Sequence, residues 1–317
     1  MDGEVPPPGR VLFDDPLTFQ IGLASSNDGR RLLAAGGDMR GGGQVLLLTL
    51  DGGPPHTLAR TSSQCFGAAI SPDGRSAAAA SADWQPPLRH IAVWDLASEE
   101  QIAVLAEGES SSYANPNFIG DRHLMGLTQS GLRRWDIKSG ESETLYEGSI
   151  RKYDPSSDGR RVLLLEAPTE ADAGRAIFVN LESDNAIPLD THGDQIESLT
   201  IDAAGEVAVT GSLDGTIRVG LASGEEPHML FGHENAVTAL AIDPRSRWIA
   251  SGSKDTTVRL WPLPDLSKPP LHTLPHDELI AKLKTLTNLR VVRDEESATG
   301  WKLTHDPFPG WETVPGW

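Results

Sequence analysis

The stretch Gly232-His-Glu-Asn-Ala-Val-Thr-Ala-Leu-Ala-Ile-Asp243, followed by Ala250-Ser-Gly-Ser-Lys-Asp-Thr-Thr-Val-Arg-Leu-Trp261, decides the fold. Each half alternates a short apolar run with a polar turn, and the last run alternates apolar residues up to Trp261. Alternation with a period of two predicts short β-strands, each with one buried face. The stretch therefore predicts at least three antiparallel strands joined by tight turns.

A near copy precedes this stretch along the chain. Thr191-His-Gly-Asp-Gln-Ile-Glu-Ser-Leu-Thr-Ile-Asp202 and Thr210-Gly-Ser-Leu-Asp-Gly-Thr-Ile-Arg-Val219 repeat its features, and His192 lies 41 residues before His233. Weaker copies occupy residues 26–50, 71–96, 124–136 and 157–181. A fixed period of ~40–45 residues with four short strands indicates a propeller blade. On these motifs the chain resembles the WD-repeat β-propeller family, which implies an all-β ring of four-stranded blades.

The two ends of the chain suggest how the ring closes. Arg10-Val-Leu-Phe13 precedes the first copy as residues 228–231 precede the sixth, so we predict that it is the outer strand of the last blade. Residues 271–276 are the predicted outer strand of the sixth blade and the turn after it. Strands at 289–293 and 301–304 are predicted as inner strands of a closing blade. We predict seven blades, six clear repeats and an atypical closing one, with six blades as the alternative.

The predicted domain layout follows from this reading. Residues 1–9 form a flexible N-terminus, 10–305 one propeller, and 306–317 an aromatic C-terminal tail. A helical stripe of apolar residues predicts one short helix at about 277–287, before the closing strands. Residues 286–293, 300–303 and 307–311 also resemble the segment that ends WD-repeat regions of large bacterial proteins, some of which carry a serine/threonine kinase domain. That resemblance implies a bacterial source.

Composition excludes several classes of protein. The 317 residues include 27 Lys plus Arg and 45 Asp plus Glu, a formal net charge of −18, which argues against binding to nucleic acid and to anionic membrane. A single cysteine, Cys65, excludes an intramolecular disulfide and a cysteine-based zinc site. The sequence shows no signal peptide and no membrane-length apolar run. We therefore expect a cytoplasmic monomer.

The most conspicuous polar residues recur from repeat to repeat. His233, Ser253, Asp255 and Trp261 in the sixth copy correspond to His192, Ser212 and Asp214 in the fifth, with Gly220 in place of the tryptophan. A Ser, His and Asp set could indicate a hydrolase triad, but a catalytic site is normally single and this set repeats. The family resemblance implies instead a hydrogen-bonded chain inside each blade. No catalytic, cofactor-binding or metal-binding motif is predicted.

Function is expected in the loops, where propellers vary. Aromatic and cationic residues, the types enriched in interface hot spots, are predicted to form a partner-binding surface on the loop face. This set is Trp84, Arg89, Tyr113, Arg151, Lys152, Tyr153 and Lys254. By analogy with the family, we predict a non-enzymatic scaffold that binds a protein or peptide. The alternatives are a sensory module of a larger bacterial signalling protein, and a small-ligand-binding, lyase or hydrolase propeller with its site at the central channel.

Overall fold

A computed structural model describes residues 19–38, 42–51, 53–61, 65–82, 89–109, 115–168, 174–183, 185–189, 194–286, 290–293 and 301–304. Within these residues the chain is all-β, with one short α-helix. The strands form six blade-like antiparallel sheets and one two-stranded sheet. The predicted fold class is confirmed.

Strands follow one another in chain order within every sheet. The first sheet contains β1 (Phe19–Ser25), β2 (Arg31–Asp38), β3 (Gly42–Thr49) and β4 (His56–Thr61). The second contains β5 (Cys65–Ile70), β6 (Ser76–Ala82), β7 (Arg89–Asp95) and β8 (Gln101–Glu109). The third contains β9 (Asn117–Ile119), β10 (His123–Thr128), β11 (Gly131–Asp136) and β12 (Ser142–Glu147).

The second half of the chain continues the pattern. The fourth sheet contains β13 (Ile150–Pro155), β14 (Arg161–Glu166), β15 (Ala176–Asn180) and β16 (Asn185–Pro188). The fifth contains β17 (Ile196–Ile201), β18 (Val207–Ser212), β19 (Ile217–Leu221) and β20 (His228–Leu230). The sixth contains β21 (Val237–Ile242), β22 (Trp248–Ser253) and β23 (Val258–Pro262). After helix α1 (His276–Leu286), β24 (Arg290–Arg293) pairs with β25 (Trp301–Thr304).

The turn between the first two strands is built alike in three sheets. Ser26, Ser71 and Ser156 each donate a hydrogen bond to the aspartate two residues later, at 2.6–2.7 Å. Each hydroxyl oxygen also accepts the amide N–H of the residue five positions on. A glycine with φ of +66 to +71° follows each aspartate, a conformation that L side chains rarely adopt. The Ser-x-Asp-Gly sequence therefore fixes this turn between the first two strands.

Five apolar clusters hold the six sheets together, one at each junction. The first cluster joins the first sheet to the second through Leu33 and Cys65, and the next joins the second sheet to the third through Ile91 and Leu124. The other three join the third sheet to the fourth, the fourth to the fifth, and the fifth to the sixth. Cys65, the single cysteine of the chain, is buried in the first of these clusters. Each inner sheet thus buries both faces against its neighbours, which is how propeller blades pack.

The sixth sheet departs from the prediction at its outer edge. Residues 271–276 do not contribute a fourth strand, because Leu271–Thr273 form a single turn of 3₁₀ helix and α1 begins at His276. Pro269 and Pro270 have no amide N–H to give to a sheet ladder. The amides of Thr273 and Leu274 bond locally, to the carbonyls of Pro270 and Leu271. The prediction of an outer strand here is wrong for that reason.

The closing blade is observed only in part. The predicted helix and the two predicted strands after it exist, within one residue of the expected bounds, and β24 and β25 pair with each other. Residues 10–13 and the tail at 306–317 lie outside the described residues. The closing strand and the number of seven blades remain predictions.

Candidate functional site

The polar residues of the sixth repeat form one continuous hydrogen-bonded chain. The Nδ1 atom of His233 lies 2.7 Å from a carboxylate oxygen of Asp255, and its Nε2 atom lies 2.7 Å from the Ser251 hydroxyl. The indole N–H of Trp261 donates to the same hydroxyl oxygen at 2.8 Å. Nothing of the His233 side chain is exposed to solvent. The set is therefore sealed inside the protein, as the structural interpretation predicts.

The charge on Asp255 is stabilised by its surroundings. The Thr257 hydroxyl, the His233 ring and the amides of Thr257 and Glu234 all donate to its carboxylate. These bonds, led by that of the Thr257 hydroxyl, hold the pKa of Asp255 well below its usual value. An ionised Asp255 fixes the imidazole orientation and leaves no lone pair aimed at solvent. The arrangement organises a turn and has no access to a substrate.

The structure corrects one member of this chain. The serine that links His233 to Trp261 is Ser251, whereas Ser253, which the sequence suggested, lies at the end of β22. Ser253 donates to the carbonyl of Asn235 at 2.8 Å and accepts the amide of Asp255. Residues two apart on a strand share a face, so both serines point the same way. Only Ser251 is close to the indole, because Trp261 is opposite Ile249, which lies two residues from Ser251 and four residues from Ser253.

The fifth repeat shows the same division of roles. Ser212 accepts the amide of Asp214, and Asp214 accepts the amide of Thr216 at 2.8 Å, so both are turn residues. Thr210, buried on β18, stands where Ser251 stands one repeat later. The predicted partner His192 lies outside the described residues, so its role remains a prediction.

Three residues predicted to bind a partner lie at the seams between sheets. Tyr153 is only 4 % exposed, and its hydroxyl lies within hydrogen-bonding distance of the carbonyls of Asn115 and Met125. Burial raises the pKa of this hydroxyl far above its usual value. The prediction that Tyr153 is exposed on the loop face is wrong, because its ring packs in the cluster between the third and fourth sheets.

Arg151 and Lys152 extend the other way, to the fifth sheet. The Arg151 guanidinium bonds to the carbonyl of Ile196 and lies 3.5 Å from a carboxylate oxygen of Glu197. The Lys152 amine bonds to the carbonyl of Glu197, and burial lowers its pKa. Both side chains are half-buried and already have partners within the chain.

The rest of the predicted surface is not brought together by the described residues. Lys254 is exposed in the turn between β22 and β23. Arg89 begins β7, but its side chain is not described, and Trp84 and Tyr113 lie outside the described residues. The partner-binding role of these four residues remains a prediction.

A half-buried carboxyl lies at the same seam as Lys152. Asp154 accepts hydrogen bonds from the Thr200 hydroxyl at 2.8 Å and from the Ile201 amide at 2.9 Å. Burial nevertheless raises its pKa to about 6. Because the folded pKa exceeds the unfolded value of about 3.9, ionisation opposes folding. The stability that the neutral form provides is complete below about pH 4 and is lost as the pH rises through 6.

Asp154→Asn is expected to remove this pH dependence. Two pKa units correspond to about 2.7 kcal/mol, so the wild-type chain should lose up to about 2 kcal/mol relative to the variant between pH 4 and pH 7.5. Denaturant unfolding of both chains across this range measures the difference. Parallel pH profiles would contradict the assignment to Asp154.

Among the residues that the structure describes, no three His, Cys, Asp or Glu side chains are grouped so as to hold a metal ion. No helix in the described ranges is long and apolar enough to cross a membrane.

Two adjacent regions match a known family. Residues 186–219 and 224–262 each match the family described as "WD domain, G-beta repeat". The chain carries WD40 repeats. Each matched WD40 region takes in an outer strand of one sheet and the first strands of the next, so the sequence repeat is offset from the sheet by one strand.

Several curated proteins are similar to parts of this chain. WD repeat-containing protein 97 of Homo sapiens is 29% identical over 151 residues, 44% of this chain and 9% of that protein. Nuclear distribution protein PAC1-2 of Uncinocarpus reesii is 28% identical over 51% of this chain and 39% of its own length. Striatin-4 of Mus musculus is 27% identical over 42% of this chain and 22% of its own length. The chain spans less than half the length of each of these relatives.

Proposed function

We propose that the chain is a non-enzymatic scaffold that binds a protein or peptide. The observation that carries this proposal is an exposed apolar surface on the sixth sheet that no described strand or helix covers, here called the open face. It consists of Ala239, Ala241, Trp248, Ala250, Val258 and Leu260, which the strand register places on one side. Val258 is 78 % exposed and Leu260 69 % exposed.

A comparison within the chain supports a binding role for the open face. Ile217 and Val219 lie 41 residues before Val258 and Leu260, in the same places on β19, and both are fully buried against the sixth sheet. Soluble proteins rarely expose a contiguous apolar face without a partner. In the predicted seven-bladed ring the equivalent surface of the sixth sheet would face the closing blade. The described strands β24 and β25 nevertheless leave Val258 and Leu260 largely exposed, so this surface has the composition of an interface and is free for a partner.

The polar residues favour a scaffold over an enzyme. The His233, Asp255 and Ser251 set is used entirely in internal hydrogen bonds, and Arg151 and Lys152 join two sheets. The bacterial source, the cytoplasmic location, the monomeric state and the place in a larger signalling protein remain predictions. So does the alternative of a ligand or catalytic site in the central channel.

Site-specific cross-linking tests the proposed binding surface. Turns alternate between the two ends of an antiparallel sheet, so Lys254, between β22 and β23, lies at the opposite end from Lys138, between β11 and β12. Each position is replaced in turn by a photoreactive phenylalanine analogue, and the two chains are irradiated in a lysate of the source organism. We expect one protein to cross-link at Lys254 and not at the matched control Lys138.

The cross-linked protein is then purified and titrated against the wild-type chain. Equal cross-linking at both positions, or no binding by the purified protein, would overturn the scaffold proposal. A metabolite that raises the melting temperature of a chain with no cross-linked partner would favour the channel-ligand alternative.

A further inference from the structure

Among the described residues, the outer edge of the sixth sheet lacks the strand that completes every sheet before it. In the first five sheets a fourth strand pairs with the third, as β20 pairs with β19. Within the described ranges β23 has no strand on its outer side. The following segment lies instead against the fifth sheet, where His228 Nε2 is 3.1 Å from the Lys268 carbonyl and His272 is 3.6 Å from Glu226.

The register shows which backbone groups face outward from this edge. The amide of Ser253 bonds to the carbonyl of Thr257, and Ser251 is opposite Arg259, so Arg259 and Trp261 bond inward to β22. Antiparallel strands bond alternately to one side and the other. The amides and carbonyls of Val258 and Leu260 therefore point away from the sheet. The two most exposed apolar side chains of the open face belong to the same two residues.

In the fifth sheet, the equivalent edge, that of β19, is paired with an outer strand. Ile217 and Val219, the equivalents of Val258 and Leu260, are opposite Leu230 and His228 of β20. One three-residue strand is enough to complete that sheet. The edge of β23 offers the same spacing of donors and acceptors, so an extended segment can add to it by strand addition.

Arg259 adds a charge requirement to the edge. Its Nε atom is buried without a hydrogen-bond partner among the described residues, and its guanidinium carbon lies 5.9 Å from the Trp261 ring centroid. A residue opposite Arg259 on an added strand would lie beside this guanidinium, and opposite charges favour such cross-strand pairs. Residues opposite Val258 and Leu260 would extend the apolar open face. The complementary sequence is therefore apolar, acidic, apolar.

The same charge argues against a second copy as the occupant. Antiparallel pairing of β23 with itself in the register that uses the outward groups of both Val258 and Leu260 would place Arg259 directly opposite Arg259, and like charges in that position destabilise a sheet. We propose that β23 binds an extended segment of a protein partner, antiparallel, with an acidic residue between two apolar ones. This inference rests on the proposed scaffold function and names its mode of binding.

Peptide binding to the full chain tests the proposal. The probe is a fluorescein-labelled, amidated peptide Ser-Thr-Val-Glu-Val-Thr-Ser, with one twin carrying Lys for Glu and another N-methylated at both Val residues. Fluorescence anisotropy should show the Glu peptide binding about three- to five-fold more tightly than the Lys peptide. Arg259→Gln should remove this preference, and the N-methylated peptide should bind at least about ten-fold more weakly because it lacks the ladder amides.

Two variants at Leu260 separate the backbone from the side chain. Leu260→Pro removes an outward amide that has no partner in the sheet, so it should leave the melting temperature nearly unchanged and abolish peptide binding. The matched control Leu260→Thr keeps that amide and should retain binding. If Leu260→Pro fails to fold, the N-methylated peptide still makes the test.

Three results would overturn the proposal. These are equal binding of the methylated and unmethylated peptides, hydrogen-exchange protection of the Val258 and Leu260 amides in the free chain, and a dimer that Leu260→Pro dissociates. Protection would mean that residues of this chain already pair with the edge of β23, and the dimer would mean that a second copy pairs with it. If the partner cross-linked at Lys254 still binds Leu260→Pro, the scaffold function holds and only strand addition at β23 fails.

Discussion

Tyr153→Ala is expected to lower the free energy of unfolding by about 3–5 kcal/mol, the largest effect of any single change considered. The substitution empties a ring-sized volume in the cluster between the third and fourth sheets. It also removes the hydroxyl that lies 2.9 Å from the Met125 carbonyl. Chemical denaturation followed by tryptophan fluorescence measures the loss.

Tyr153→Phe is the matched control for this experiment. It keeps the ring and removes only the hydroxyl, so the expected loss is about 1–2 kcal/mol. A Tyr153→Ala chain as stable as the wild type would contradict the burial of Tyr153 and support the exposed position that the sequence suggested. Because Tyr153→Ala is expected to destabilise the fold, a loss of partner binding in this variant cannot be assigned to a contact with Tyr153.

Ser251→Ala is expected to cost about 2–4 kcal/mol, and Ser253→Ala less than about 1 kcal/mol. Removing the Ser251 hydroxyl leaves both the Trp261 indole N–H and the His233 Nε2 atom without a partner in a buried site. Ser253 lies at the end of β22, in a turn that other backbone bonds also hold. Thermal and denaturant unfolding of the two variants side by side measures the difference.

The paired serine variants also decide the corrected assignment. A larger loss for Ser253→Ala than for Ser251→Ala would contradict the hydrogen-bonded chain described above. Ser251→Thr is a useful third variant, since Thr210 occupies the equivalent place in the fifth sheet. It keeps a hydroxyl and should retain most of the stability.

The sequence predicted features that depend on local chemistry. The Ser-x-Asp-Gly turns and the helix at 276–286 arise from residues close together in the chain, so their patterns were sufficient. The 41-residue period aligned His233 and Asp255 with the fifth repeat in the same way. It could not choose between Ser251 and Ser253, because both lie on the same face and only the strand register places one beside the indole.

Features that depend on contacts with a neighbouring sheet could not be predicted from the sequence. Tyr153 lies between Lys152 and Asp154 on β13, and nothing in that pattern shows that its ring enters the cluster between the third and fourth sheets. The outer strand predicted at residues 271–276 had the right apolar residues. However, two prolines precede it, and the chain here lies against the fifth sheet through contacts of His228 with Lys268 and of His272 with Glu226. These residues therefore do not form a strand.

The five junction clusters have a consequence for how the protein opens. Among the described residues each cluster joins only two adjacent sheets, so the energy of the stack is close to a sum over nearest neighbours. In such a series a sheet with two covered faces is held on both sides. The first sheet also buries Leu46 and Leu48 on its outer face, whereas the open face leaves the sixth sheet held on one side only. Local opening should therefore begin at β21–β23 and spread inward, with amide exchange slowest in the fourth sheet. The surface proposed to bind a partner would then be the part of the fold that a partner stabilises most.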